Sequence, residues 1–299
     1  MNNSYNESST TSTDFTFEPI LVASIVLLLS VTAVLLNLYV IYCIKRLKVF
    51  QNAFGRLCAS RSVAQILATL VLLCWSTPWT YLQLDPPETL NVWWGQLVYF
   101  SDFSTVLINL VISINRFCAI WLITSYKIIF GKKTTLISIV IVWIVALGES
   151  MFWFLIERQL FYDPFSYGWI HVAGEDYFNE LSLDMMVTVL TVLLDLLTLM
   201  KVVQLKNATI SPTAHFKREL RFFSQMAFQN LFNLANLASL IWIPTTNSLF
   251  ADFILKFALW ILTFIVDGSL FVAFNPEARR FRSSSVLFAG KNTQARKTS

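Results

Sequence analysis

Apolar stretches of about twenty residues recur along this chain, and each is long enough to cross the hydrocarbon core of a bilayer as a helix. The one that most constrains the fold runs from Ser101 to Tyr126 (SDFSTVLINLVISINRFCAIWLITSY). Near its inner end it carries Asn115, Arg116 and Phe117. An arginine at mid-membrane costs on the order of 2.5–3.5 kcal/mol on insertion scales. This side chain therefore needs a partner or a place at the cytosolic boundary, and the rest of the chain reads as a bundle around its helix. Composition argues against a soluble chain: 56% of the residues are hydrophobic and 13% charged, where soluble domains average about 25% charged. The expected class is an all-α membrane protein with one membrane domain.

Seven spans are predicted, at about Pro19–Ile44, Leu57–Trp79, Ser101–Tyr126, Thr134–Ile156, Ser182–Val203, Lys217–Trp242 and Phe253–Phe274. Positive charge is retained on the cytosolic side. With the N-terminus outside, all but Arg158 and Lys256 of the 22 Lys and Arg residues lie at or near the inner face. The acids sort the other way, with Asp85, Glu88, Glu157, Asp163, Glu175, Asp176 and Asp252 among those placed outside. The basic residues thus follow the lipid surface and give no argument for nucleic acid. Residues 1–18 read as a disordered outer tail, 19–282 as the seven-span domain and 283–299 as a cytoplasmic tail. The tail at the start lacks the basic stretch and apolar core of a signal peptide. It carries glycosylation sequons at Asn2 and Asn6. The four cysteines, Cys43, Cys58, Cys74 and Cys118, have no metal-ligand spacing and provide no extracellular disulfide framework. No cofactor is expected.

Local motifs sharpen the layout. Asn115-Arg116-Phe117 stands where rhodopsin-like receptors carry Asp/Glu-Arg-Tyr. Asp267-Gly268 with Phe271, followed by Asn275-Pro276-Glu277 and Arg279-Arg280, resembles the Asn-Pro-x-x-Tyr segment and short amphipathic eighth helix of that family. A buried Asp267 is costly. It is expected to face the bundle near Asn37 and Arg61 as a polar core that rearranges between two states. Four segments in order, Asn52–Ser60 (NAFGRLCAS), Asn115–Ile120 with Tyr126, Glu219–Gln225 (ELRFFSQ) and Asp267-Gly268 with Phe274–Arg279, are similar to the nematode serpentine receptor class x family. That resemblance covers nearly the whole membrane domain. It implies a chemosensory G-protein-coupled receptor of the plasma membrane of sensory neurons, which binds an unknown extracellular small molecule and activates a heterotrimeric G protein. The coupling and switch roles would fall on Asn115, Arg116, Phe117, Tyr126, Asp267, Asn275 and Pro276. Two departures stand out. Ile123 replaces a usual proline, and Cys74 has no outer partner, so the outer loop Glu157–Leu181 lacks the cysteine tether of rhodopsin-like receptors.

The outer halves of the spans are aromatic. Trp75, Trp79, Tyr99, Phe103, Trp153 and Trp260 either form an interfacial belt or line an apolar pocket. Asp102 and Asp195 are ionisable groups within reach of such a pocket, and charges inside a membrane default to functional hypotheses. A small transporter or channel is the rival reading, but the broken spans and internal repeats it calls for are absent. A membrane enzyme would need His, Cys or acidic residues clustered at one depth, and no such cluster is seen. The topology is testable. Asn2 and Asn6 are expected to carry glycosidase-sensitive glycans, and a C-terminal tag is expected to react with antibody only in permeabilised cells. Both termini on one side of the membrane would overturn the seven-span layout.

Overall fold

The computed structural model describes residues 17–156, 159–171, 177–208, 214–242 and 246–279. Asn2 and Asn6, residues 243–245 and the tail from residue 280 onward lie outside the described residues. Seven long helices run through the chain: α1 (Phe17–Arg46), α2 (Ala53–Leu82), α3 (Glu88–Trp121), α4 (Lys132–Leu155), α5 (Tyr177–Ala208), α6 (Ala214–Trp242) and α7 (Leu249–Phe274). Between α4 and α5 the chain forms a hairpin of β1 (Leu160–Asp163) and β2 (Gly168–His171), antiparallel, with Tyr162 opposite Trp169. The fold is the expected seven-helix bundle.

Its helices are inside out relative to a soluble protein. The exposed face of α4 is Leu136, Ile137, Val140, Ile141, Ile144 and Val145, and that of α5 includes Leu190, Leu193, Leu196 and Leu197. The buried side chains include Ser30, Asn37, Arg61, Gln65, Asn109, Ser113 and Gln229. Leucines outside and amides inside suit hydrocarbon, where backbone groups must be satisfied within the helix, and the protein is a multi-pass membrane protein. Among the described residues six helices are long and apolar enough to cross. The other long helix, α6, has 29 residues, which is about 43 Å of rise. It falls short only in hydropathy, because its inward face carries Gln225, Gln229, Asn230 and Asn236 while Phe228 and Leu231 face out.

Helix α3 is the central rod. It packs on α2, α4, α5 and β1, while α1 bridges α2 and α7, and α6 bridges α5 and α7. Its bounds differ from those read off the sequence. It begins at Glu88, because the polar and aromatic turns before Ser101 are helical, and it ends at Trp121, with Leu122 leaving helical geometry. Tyr126 therefore starts a separate short turn, Tyr126–Ile129. Helix α2 likewise begins earlier, at Ala53, where the Asn52 side chain accepts from the Gly55 amide at 2.9 Å, an N-cap. Two π-helical turns interrupt the outer ends of the bundle, at Leu72–Ser76 in α2 and Phe253–Ala258 in α7. Such turns re-aim side chains and recur at functional sites. Beyond α7, Pro276–Arg279 form one further helical turn, the described part of the short eighth helix.

The hairpin lies directly on the bundle. A Cβ on Gly95 of α3 would come within 1.8 Å of the Leu160 carbonyl oxygen, so only glycine lets the strand pass here. By contrast, a Cβ on Gly148 meets nothing within 4 Å. Gly95→Ala is therefore expected to cost about 1–3 kcal/mol, as overpacking does, and Gly148→Ala close to nothing. Thermal unfolding in detergent reads the difference, and equal midpoints for the two variants would show that the hairpin does not seat on Gly95.

Candidate ligand cavity and polar core

The outer loop needs a fastening, and Asn91 supplies it. Its side chain donates to the Tyr162 carbonyl at 2.8 Å and accepts from the Tyr162 amide at 2.9 Å, as a neighbouring strand would. Its Oδ1 also accepts from the Trp75 indole at 3.0 Å. The Tyr162 hydroxyl bonds to that of Thr80, and Gln83, held in the left-handed region at the end of α2, donates to the Pro164 carbonyl at 3.1 Å. Burial pushes the Tyr162 phenol above its ordinary value, which keeps it a neutral hydroxyl. Tyr167 also adopts positive φ at the hairpin turn, and its buried ring packs edge-on against Phe253. Together these contacts tie the end of α3 to the loop without a disulfide.

Under this lid lies a cavity of about 670 Å³. Its roof is Leu160, Tyr167 and Trp169. Its walls include Tyr99, Asp102, Asn233, Lys256, Phe257 and Trp260, and its floor reaches Gln65, Asn109 and Asp267. Trp260 donates its indole N–H to Asp102 at 2.9 Å and so links α7 to α3. Three of the eight pocket residues named from the sequence, Tyr99, Asp102 and Trp260, line the cavity. Trp75, Trp79 and Trp153 instead pack in the apolar cluster beside the hairpin. Phe103 is buried and stacks in parallel on Tyr99. Asp195 accepts from Asn230 across the α5–α6 contact, outside the cavity wall.

The floor is a charged knot. Arg61 and Asp267 lie 3.7 Å apart, each 2% exposed. Arg61 also donates to Asn109 at 3.1 Å and to Gln229 at 3.0 Å. Gln65 donates to the Asp267 carboxylate, and Gln229 to the Asp267 carbonyl at 2.9 Å. Asn37 donates to the Phe264 carbonyl at 3.3 Å, one turn above Asp267. Two charges taken out of water need this density of hydrogen bonds to offset their desolvation.

At the inner end, Asn115 and Arg116 are buried in one cluster. Arg116 donates to the Asn115 side chain at 2.7 Å, and Asn115 donates to the Tyr126 hydroxyl at 3.2 Å. The Arg116 guanidinium lies over Phe54 at 4.3 Å and over Phe222 at 5.5 Å, a cation–π arrangement. Phe117 points to Trp121 on its own helix. Phe50, fully buried, sits against Phe271 and Phe222 with ring centroids 4.9 and 6.2 Å away. Asn275 donates to Gln225 at 3.0 Å and caps α7, with Pro276 opening the next turn. Of the residues grouped from the sequence, Asn115, Arg116, Tyr126 and Asn275 thus gather at the inner mouth, while Asp267 sits two turns deeper in the knot.

The sequence profile of the serpentine type 7TM GPCR chemoreceptors, Srx, matches residues 27–275. The chain belongs to this family. Among the relatives of this Srx chain are two from Caenorhabditis elegans. Serpentine receptor class X 45 is 24% identical over 273 residues, covering 81% of this chain and 75% of the relative. Serpentine receptor class X-43 is 23% identical over 264 residues, covering 82% of each.

Several contributors to the serpentine bundle escape a reading of charges and motifs. The amides of α6, Gln225, Gln229, Asn230 and Asn236, recur at helical spacing, which was the signal available for them. Asn91, Gly95 and Tyr162 have no local signal, because their partners lie about seventy residues away. Arg61→Met and Asp267→Leu are each expected to cost about 3–5 kcal/mol, since each strands a buried charge. The double variant is expected to cost far less than their sum. A thermal-unfolding double-mutant cycle measures the coupling, and additive losses would overturn the pairing.

Proposed function

We propose that the protein is a chemosensory receptor that binds a small extracellular molecule in the cavity under the β1–β2 hairpin and activates a heterotrimeric G protein at its inner face. The observation that carries this reading is the continuity of the cavity, from the hairpin roof down to the Arg61–Asp267 knot. A molecule in the cavity touches α3, α5, α6 and α7 together. Any arrangement of these helices that it contacts better is favoured by that difference in affinity alone. The knot binds four of the helices to one another, so their rearrangement is collective.

The inner mouth supports the coupling half of the reading. Arg116 lies between Phe54 of α2 and Phe222 of α6. An outward swing of α6 withdraws Phe222 and frees the guanidinium to meet a partner. Asn115, Tyr126, Asn275 and Pro276 surround the same mouth. Plasma-membrane placement in sensory neurons and glycans at Asn2 and Asn6 go with this function. Exposed basic residues at the inner face, Lys132 and Arg279 among them, suit an anionic lipid surface.

The test is nucleotide exchange on purified G protein by the receptor in membranes, with a library of small volatile and water-soluble molecules as agonists. Arg116→Ala at equal surface expression is expected to abolish exchange, and Asp102→Ala to weaken agonist potency at least tenfold. Full exchange by the Arg116 variant would remove Arg116 from coupling.

A further inference from the structure

We propose that the cavity takes a small organic cation, an amine whose ammonium sits against Asp102 and whose apolar body lies among Tyr99, Phe257 and Trp260. This inference rests on the receptor reading above and names the ligand class for the same cavity.

The first observation is the state of Asp102. Its carboxylate lines the cavity and takes one hydrogen bond from the Trp260 indole. An indole N–H supplies direction but no positive charge. Among the described residues no salt bridge reaches Asp102. Arg61 is engaged by Asp267 at the floor. Lys256 also lines the cavity, but it is half-buried and sits one helical turn beyond Trp260, with Asp252 four residues before it on the same helix. A carboxylate facing a site of low polarity calls for a cation.

The second observation is independent and lies at the floor. Gln65 and Asp267 both line the cavity and are 1% and 2% exposed. Oε1 of Gln65 and Oδ1 of Asp267 have no hydrogen-bond partner. Buried polar atoms are ordinarily satisfied. Two open acceptors at the floor and a carboxylate on the wall leave the lower cavity short of donors, while the open indole N–H of Trp169 lies at the roof and the Lys256 ammonium toward the outer end. A ligand ammonium brings three donors, whereas a carboxylic acid anion brings none and adds repulsion.

The third is the surface between them. Tyr99, Phe257, Trp260 and Phe264 line the cavity, and Phe257 stacks on Trp260 with ring centroids 6.0 Å apart. Rings of this kind attract a cation through their quadrupole and accommodate an apolar body.

The experiment uses the full-length protein in detergent and follows thermal unfolding with matched probes: 2-phenylethylamine, 2-phenylethanol and phenylacetate, then tryptamine, tryptophol and indole-3-acetate, then hexylamine, hexanol and hexanoate. The amines are expected to raise the unfolding midpoint of the wild type and their alcohol and acid counterparts to leave it unchanged. In Asp102→Asn, amine affinity is expected to fall about 100-fold, as when one partner of a buried charge pair is lost. Alcohols or acids that match the amines, amines that bind Asp102→Asn undiminished, or no amine shifting the wild type would each overturn the assignment. Nucleotide exchange by the G protein is read in parallel. Amine binding without exchange at any concentration keeps the cation and defeats the receptor reading. Exchange driven equally by alcohols in both forms keeps the receptor and defeats the cation.

Discussion

Everything in the middle of this bundle depends on burying one guanidinium and one carboxylate, each left only 2% exposed. Arg61 and Asp267 stand on α2 and α7, and neither charge is tolerable alone at that depth. The fold offsets the cost by lending amides from three directions. Asn109 of α3 and Gln229 of α6 accept from Arg61, and Gln65 donates to Asp267. Each amide is also a demand on the helix that carries it. Gln229 is oriented twice, once toward Arg61 and once toward the Asp267 carbonyl. Four helices are thereby held in one register by side chains that would be poor residues in an ordinary membrane span. That is why α6 fails a simple hydropathy criterion and still belongs inside the bundle.

The outer end solves a different problem with the same material. A loop laid over a cavity must be fixed well enough to form a wall. Here the fixing is an asparagine that imitates a β-strand toward Tyr162, a glycine that lets Leu160 approach, and a hydroxyl pair between Thr80 and Tyr162. None of these bonds is covalent, and each is worth about 1 kcal/mol net. Together they match the about 2–4 kcal/mol typical of one disulfide, but they can be released one at a time where a covalent link cannot. The two π-helical turns lie at this same end. One places Trp75 against Asn91, and the other places Phe253, Lys256 and Phe257 on the cavity wall.

Much of this architecture was legible in the sequence, and the part that was not has a common cause. Seven spans and the family follow from apolar length and short motifs, both of which are local. The pairing of Asp267 with Arg61 could be anticipated because an isolated charge in a span demands an opposite one. The span ends were less accessible. Polar and aromatic residues from Glu88 to Phe100 read as loop, yet they are helical because Asn91, Gly95 and Tyr99 turn toward the hairpin and cavity. Tryptophans were the least informative. An indole at the interface serves a belt, a core or a pocket equally well, and only packing separates Trp260, on the cavity wall, from Trp75 and Trp153, in the cluster beside it. Arg116 shows the same limit. Its charge marked it, but its aromatic neighbours Phe54 and Phe222 come from helices that a reading of one strand of text cannot bring together.

Along α3 the separate sites become one device. Asn91, Gly95, Tyr99, Asp102, Asn109, Ser113 and Arg116 fall at intervals close to three, four or seven residues, which is one face of a helix. That face meets, in order, the hairpin, the cavity, the charged knot and the inner mouth. About 37 Å of helix rise separates Asn91 from Arg116, and side chains of this one stripe make a contact at each level. A ligand that pulls on Asp102 therefore also pulls on Trp260 of α7, which is seven residues above Asp267, and Asp267 holds Gln229 of α6. Gln229 lies seven residues from Phe222, the ring over Arg116. Three links in that route join helices, Trp260 to Asp102, Gln229 to Asp267 and Phe222 to Arg116, and the steps between them run along α7 and α6. In the receptor proposed above, a central rod with α6 and α7 hung on it through such bonds would have two economical arrangements: all of them kept, or the α6 set released together.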